Sequence, residues 1–384
     1  MAKKSTTKPS RRGATAARAS KRSASPSRGS RTRAAKARSA RAVAPAKGPV
    51  TLDEARAIAR ARQVARAPMT TALRAKPPAA TAASVGEERK KLEKERREEL
   101  ARRVRDYKAT MAVMKKRGAR RPRAKTEPIE GAAAEAGFTP LQIFAEGDSW
   151  FDYPVPFFNG GIVPRLEGLL GVPILNLAKA GDEVRYMLGV EERKLLAKHF
   201  SDGCPAGGPW DALLFSGGGN DIVDNPMALW IRDFDSSAGP AQQINQPRFA
   251  AALALVRAGY EDLITLRDQL SPTTQLVFHS YDFAIPDGRG VCFYGPWLKP
   301  TFDLRGFPSQ ASAFKVVSVM LQQFAALLAT LATHSGVTFI NTQGTLVPQK
   351  SSWHNELHPS RKGFDKFAER FRAELKTLFP TRVA

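Results

Sequence analysis

Cysteine is scarce in this chain: only Cys204 and Cys292 occur among 384 residues. Two are too few for a disulfide framework, and they fit a reducing compartment. There are five histidines, and no Cys/His set at metal-ligand spacing, so no metal site is expected. The basic N-terminus is not followed by an apolar core segment, so no secretory signal is visible and a cytoplasmic location is expected. A Walker loop and a dinucleotide fingerprint are both missing. The run Gly217-Gly218-Gly219 has no Lys-Ser/Thr after it, which argues against phosphate cradling. No cofactor is expected. Residues 1–50 hold 15 basic residues, no acidic one and no aromatic.

What is present is divided unevenly. Residues 1–125 carry 38 Lys and Arg against 9 Asp and Glu, a net charge of +29. Residues 126–384 carry 22 against 27, a net of −5. The basic character therefore belongs to the N-terminal third. Residues 1–50 are too poor in apolar side chains to offset the entropy of ordering and read as disordered. Thr51-Leu52-Asp53-Glu54 has the form of a capping box opening a short helix to about residue 65. The domain reading is a basic low-complexity tail over 1–86, a charged helix over 87–117, a linker over 118–137 and a globular domain over 138–384. In the charged helix Leu100, Val104, Tyr107, Met111 and Met114 are spaced as a heptad seam, which leaves a solvated helix, one docking on the globular domain, or coiled-coil pairing.

From residue 138 strands and helices alternate. Apolar runs at 141–145, 173–178, 212–216, 275–279 and 337–341 read as five buried parallel strands. Helical patterns lie near 161–170, 183–199, 248–270, 309–334 and 361–378. The alternation implies an α/β fold, a doubly wound parallel sheet with helices on both faces. Residues 316–333 are 18 long without a charge, the length of a membrane span. Their large apolar residues form a helical stripe, so a buried core helix is expected and no transmembrane segment.

The chemistry gathers at strand ends. Gly147-Asp148-Ser149-Trp150 follows the first strand, with Ser149 at the tip of a tight turn. Asp148 is expected to cap that turn. Gly181 follows the second strand, where the lack of a Cβ lets its backbone N–H approach a ligand. Asn220 follows the third, with an amide able to donate to an oxyanion. His358 lies in a loop before the last helix. A serine hydroxyl needs a neighbouring base, and an acyl intermediate needs donors for its oxyanion. In a parallel sheet all these ends lie on one edge.

These residues resemble the SGNH family, the GDSL-type esterases and lipases, over about 141–370. Gly147-Asp148-Ser149 looks like its first block, Gly181 its second, Gly219-Asn220-Asp221 its third and Leu357-His358-Pro359 its fifth. The resemblance implies a three-layer flavodoxin-like α/β/α sandwich. It implies Ser149 as nucleophile and His358 as general base. It also implies an oxyanion hole from the Ser149 and Gly181 amides and the Asn220 side chain. One position departs: where the family usually carries an aspartate three residues before the histidine, this chain has Asn355. Asn355 can accept a hydrogen bond from the imidazole; Glu356 or Asp282 could substitute as the orienting group. His354 is expected at the surface, with a second base as the alternative. Trp150, Tyr281 and Asp282 are candidates for the substrate pocket. His279 either joins them at the sheet edge or belongs to the core. Trp150, Phe151, Tyr153, Phe157 and Phe158 either form an apolar wall for the substrate or pack a loop.

The expected activity is metal-independent hydrolysis of a carboxylic ester through an acyl-enzyme on Ser149. The alternative is a catalytically weak binding protein of the same fold. In either case, residues 1–125 are a candidate for binding nucleic acid or another polyanion without reading sequence, with a targeting arm or a solubility tail as the alternatives.

Overall fold

The computed structural model describes residues 48–64, 85–120, 138–155, 158–291 and 294–383. The expectations for residues 1–47, the linkers at 65–84 and 121–137, Phe157 and Cys292 lie outside the described residues.

The five strands form one parallel sheet. They are β1 (Ile143–Gly147), β2 (Ile174–Asn176), β3 (Ala212–Ser216), β4 (Gln275–His279) and β5 (Val337–Ile340), in the order β2-β1-β3-β4-β5. This is the doubly wound, flavodoxin-like order. The chain first winds outward from β1 to β2 and then crosses back to β3, leaving a crevice beyond the strand ends at the β1/β3 switch point. Ser149 follows β1 directly and so stands at that crevice.

β1 begins and ends two residues later than its apolar run suggests. The ladder to β3 continues through Glu146 opposite Phe215 and Gly147 opposite Ser216. Glu146 reads as the polar end of the run, yet it is buried inside the sheet, where desolvation pushes its carboxyl up to about 8. Gly147 is needed there: its φ is +157°, and a Cβ would lie 2.6 Å from the Ser216 carbonyl. The strand thus runs straight into the nucleophile turn.

Nine α-helices lie among the described residues: α1 (Leu52–Val64), α2 (Val85–Arg117), α3 (Ile162–Leu170), α4 (Val184–Met187), α5 (Val190–Asp202), α6 (Gln246–Leu270), α7 (Lys299–Leu304), α8 (Gln310–Leu331) and α9 (Arg361–Leu378). Side-chain caps open four of them: Thr51 accepts from the Glu54 amide, Asn245 from Arg248, Ser309 from Ser312 and Ser360 from Gly363. The single helix expected at 183–199 is two, α4 and α5, broken at Leu188-Gly189. Helix α7 was not anticipated, since its six residues show no long period. The helices cover both sheet faces. On β4, Phe278 meets Tyr260 of α6 (ring centroids 4.7 Å apart) while the adjacent His279 meets Phe371 of α9 (5.3 Å). Neighbouring strand residues point to opposite faces, so α6 and α9 lie in different layers.

Helix α8 meets the length and hydropathy of a membrane span, the one such helix among the described residues. Met320, Phe324, Leu328 and Leu331 are buried within the protein. The described residues fall in one compact unit that includes α1 and α2. The capping box at Thr51 forms, with the Thr51 amide donating to Glu54 at 2.8 Å. Along the seam of α2, Tyr107, Met111 and Met114 are buried, and Tyr107 lies 5.6 Å from Trp210. The seam is therefore occupied within this chain.

Candidate active site

The nucleophile turn and the loop before α9 converge. Ser149 Oγ lies 2.6 Å from His358 Nε2, and both residues are buried. His358 Nδ1 lies 3.0 Å from Asn355 Oδ1. That oxygen also accepts the backbone N–H groups of Leu357 (3.0 Å) and His358 (2.9 Å). Backbone N–H groups only donate, so the Asn355 amide must present its oxygen to them. The same oxygen then takes the proton on His358 Nδ1, which leaves Nε2 unprotonated to accept from the serine hydroxyl. Burial, with the neighbouring His354 second, lowers the His358 pKa to about 3, so the ring is neutral over the ordinary pH range.

The other groups weighed for orienting His358 are engaged elsewhere. Glu356 is buried and its carboxylate accepts from the backbone N–H groups of Gly288, Trp297, Leu298 and Lys299. Asp282 accepts from those of Phe283, Gly344 and Leu346. Each is a loop organiser, held away from the imidazole by the amides it caps. His354, expected at the surface, is held by neighbours. It is half-buried, its Nδ1 lies 2.6 Å from the Tyr153 hydroxyl, and its ring lies 4.4 Å from that of Phe158. The Tyr153 hydroxyl also accepts from Asn355 Nδ2 at 3.1 Å. Tyr153 in turn stacks on the His358 ring, centroids 4.5 Å apart and planes at 30°. The sequence offered Tyr153 only as wall or packing. Its role beside the base had no local signal, because its partners lie about 200 residues away.

Asp148 caps the turn as expected, accepting from the Trp150 amide at 2.9 Å. It also accepts from the hydroxyls of Ser216 (2.9 Å) and Tyr281 (2.5 Å). Burial raises its carboxyl to about 6 despite those bonds. His279 is a core residue: fully buried, stacked on Phe151 at 5.5 Å, its pKa lowered to about 4 by burial.

Three groups were expected to form the donor side. Among the described residues, neither the Ser149 nor the Gly181 N–H takes part in a backbone hydrogen bond. Gly181 has φ +81° and open space where a Cβ would sit. The Asn220 amide donates to the Asp182 carbonyl at 2.8 Å, tying the third block to the Gly181 loop. Asp221 adds a second tie by accepting from the Val184 N–H at 2.9 Å.

A small cleft, partly open to solvent, lies over this constellation. Ser149, His358, Asn220, Trp150, Tyr281 and Asp282 line it; Gly181 does not. Asp148 lines it too, and the rest of its wall is apolar, with Ile222, Val223, Leu298, Val317, Met320 and Leu321. Among the described residues, no cluster of His, Cys, Asp and Glu could hold a metal ion.

A chain with this sheet order and a Ser-His pair at its switch point falls among the α/β hydrolytic folds. Residues 145–366 match the GDSL-like Lipase/Acylhydrolase family, more than half of the chain, and the chain belongs to it. No curated protein sequence matches it. Among solved structures it is similar to a putative platelet activating factor from Streptococcus pneumonia, with 15% identity, TM-score 0.38, and coverage of 76% of this chain and 100% of that one. A lipase, Lip_vut3, from a goat rumen metagenome shares 18% identity at TM-score 0.39, covering 61% of this chain and 96% of that one. An extracellular lipase from Streptomyces rimosus shares 17% at TM-score 0.39, covering 61% and 99%.

Proposed function

We propose that this chain is a serine esterase that forms an acyl-enzyme on Ser149. The observation that carries the reading is the 2.6 Å contact between Ser149 Oγ and an imidazole nitrogen whose lone pair is left free by the Asn355 contact. As the hydroxyl oxygen attacks the acyl carbon, its proton passes to His358 Nε2, and the developing oxyanion is met by the Ser149 and Gly181 amides and the Asn220 side chain. His358 then gives the proton to the departing alkoxide. Water, deprotonated by the same nitrogen, attacks the acyl-enzyme, releases the acid and restores the serine. Asn355 brings no negative charge to the transient imidazolium. The stacked Tyr153 ring offers its π-face instead, a contribution of about 0.5–2 kcal/mol. The apolar wall of Ile222, Val223, Leu298, Val317, Met320 and Leu321 suits an apolar acyl group.

Ser149→Ala tests this. Turnover of a short-chain nitrophenyl ester should fall by about 10⁶, as for loss of a nucleophile in a triad, and labelling by a fluorophosphonate should vanish while the melting temperature holds. Labelling that persists in the variant would place the nucleophile elsewhere.

A further inference from the structure

Helix α2 lies wholly outside the segment that matches the family, yet two of its arginines reach the strand ends that carry the site. Arg96 and Arg103 are seven residues apart, two turns, and so share one face of the helix. Arg96 donates to the carbonyls of Leu177 (2.5 Å) and Ala178 (3.1 Å). Arg103 donates to the Asn176 carbonyl (3.0 Å) and to the Asp152 carboxylate (2.7 Å), with Glu99 as a further partner. These acceptors are not arbitrary backbone. Asn176 is the last residue of β2, and Leu177 and Ala178 lead on toward Gly181. Asp152 closes the turn that begins with Ser149, its own N–H bonded to the Asp148 carbonyl at 3.1 Å.

The two loops are otherwise joined thinly. The Asn176 amide donates to the Phe151 carbonyl at 3.3 Å, and its oxygen accepts from the Ala178 N–H at 3.1 Å. The Lys179 N–H donates to the Gly147 carbonyl at 2.8 Å. β2 has only three residues, the shortest strand of the sheet, and pairs on one side alone. Its free edge faces α2, and the carbonyls past its end have no neighbouring strand to bond. Both arginine side chains are about one-fifth exposed, so these bonds are shielded from water.

We infer that Arg96 and Arg103 are positioning residues for the oxyanion hole: helix α2 clamps the Gly181 loop to the nucleophile turn and fixes the spacing of the two backbone donors. The inference rests on the esterase reading above. Donors aimed at a developing charge are effective only when held in place beforehand, and a displacement of about 1 Å can cost on the order of 10²-fold in rate. A guanidinium can bridge two carbonyls, or a carbonyl and a carboxylate, in one plane; an ammonium cannot hold both in the same fixed fork.

The test uses the full chain with Arg96→Met and Arg103→Met together, which keep the aliphatic stems. The kcat for a short-chain ester should fall about 10- to 100-fold with KM nearly unchanged, since the donors act on the transition state. Amide hydrogen exchange over residues 177–183 should speed up while exchange in β3 and β4 stays slow. The double lysine variant should restore only part of the rate. Unchanged kcat in the methionine variant would overturn the inference, as would full recovery with lysine, or a loss that merely follows a smaller folded fraction. A wild-type chain that neither turns over esters nor labels at Ser149 would overturn the esterase reading and the positioning role with it. Exchange over 177–183 would still report whether the clamp itself exists.

Discussion

The base side of this site is assembled from one short stretch of chain, the donor side from four separate ones. His354, Asn355, Leu357 and His358 lie within five residues, and Tyr153 joins their network from a distant part of the chain. The Ser149, Gly181 and Asn220 donors follow three different strands, and a fourth element, α2, ties two of those strand ends together. A local network survives small shifts between elements because its members move together. A dispersed one depends on every tie. The base side should therefore respond to changes in its own side chains, and the donor side to changes far from the chemistry.

The largest effect expected in breaking this contrast is at Asn355. Asn355→Ala removes the acceptor for His358 Nδ1 and frees the imidazole to adopt the wrong tautomer, a fault that can cost about 10⁴ in turnover. A loss near 10³ or more is expected in kcat, with the ester still binding. Asn355→Asp should act in the opposite direction. A carboxylate beside the ring favours the imidazolium, so turnover should rise and the acid limb of the pH–rate profile, near pH 3 for a base lowered to about 3, should move upward. Steady-state kinetics from pH 3 to 8 checks both.

On the donor side Asn220→Ala removes one oxyanion donor and its tie to the Asp182 carbonyl. A loss of about 10²–10³ in kcat is expected, as for a single oxyanion-hole donor. An effect on KM alone would remove Asn220 from the oxyanion hole.

A smaller effect concerns stability. Glu146, beneath the nucleophile turn, has its carboxyl raised from 4.5 to about 8 by burial. In the fold it stays protonated where the unfolded chain would have lost the proton. Its contribution is thus fully present below about pH 4.5 and is lost as pH rises through about 8. Buried His279 acts in the other direction: lowered to about 4, it weakens the fold as pH falls below 6.5. Glu146→Gln should flatten the alkaline decline, read as melting temperature against pH from 5 to 9, and leave the acid decline in place.

The smallest effect on turnover should come from the basic N-terminal region, and it is the one that sharpens the division of the chain. We propose that this region binds polyanions through counterion release, with about −0.9 in the salt slope per phosphate neutralised. Deleting residues 1–46 should leave ester turnover intact and remove most of the binding to duplex DNA of any sequence. A deleted chain that binds DNA as well as the full one, or a full chain whose binding ignores salt, would end that proposal.

The sequence by itself determined the sheet and its cargo. Apolar runs separated by helical periods specify a doubly wound fold, and a Gly-Asp-Ser turn, a Gly-Gly-Asn turn and a late histidine must then meet at one edge. Periodicity and strand-end position are local properties, so they are legible along the chain. The end of β1 was not, because burial neutralises Glu146 and lets a polar residue continue a core strand. What only the tertiary structure decided is which partner each group takes. Asn355 rather than Glu356 or Asp282 faces the imidazole because two backbone amides fix the orientation of its amide and four others capture Glu356. His354 and Tyr153 join the base, and Arg96 and Arg103 reach the β2 end, through contacts 70 to 200 residues apart. A hydrogen bond across that separation leaves no periodic trace, since either partner alone reads as an ordinary polar or charged side chain.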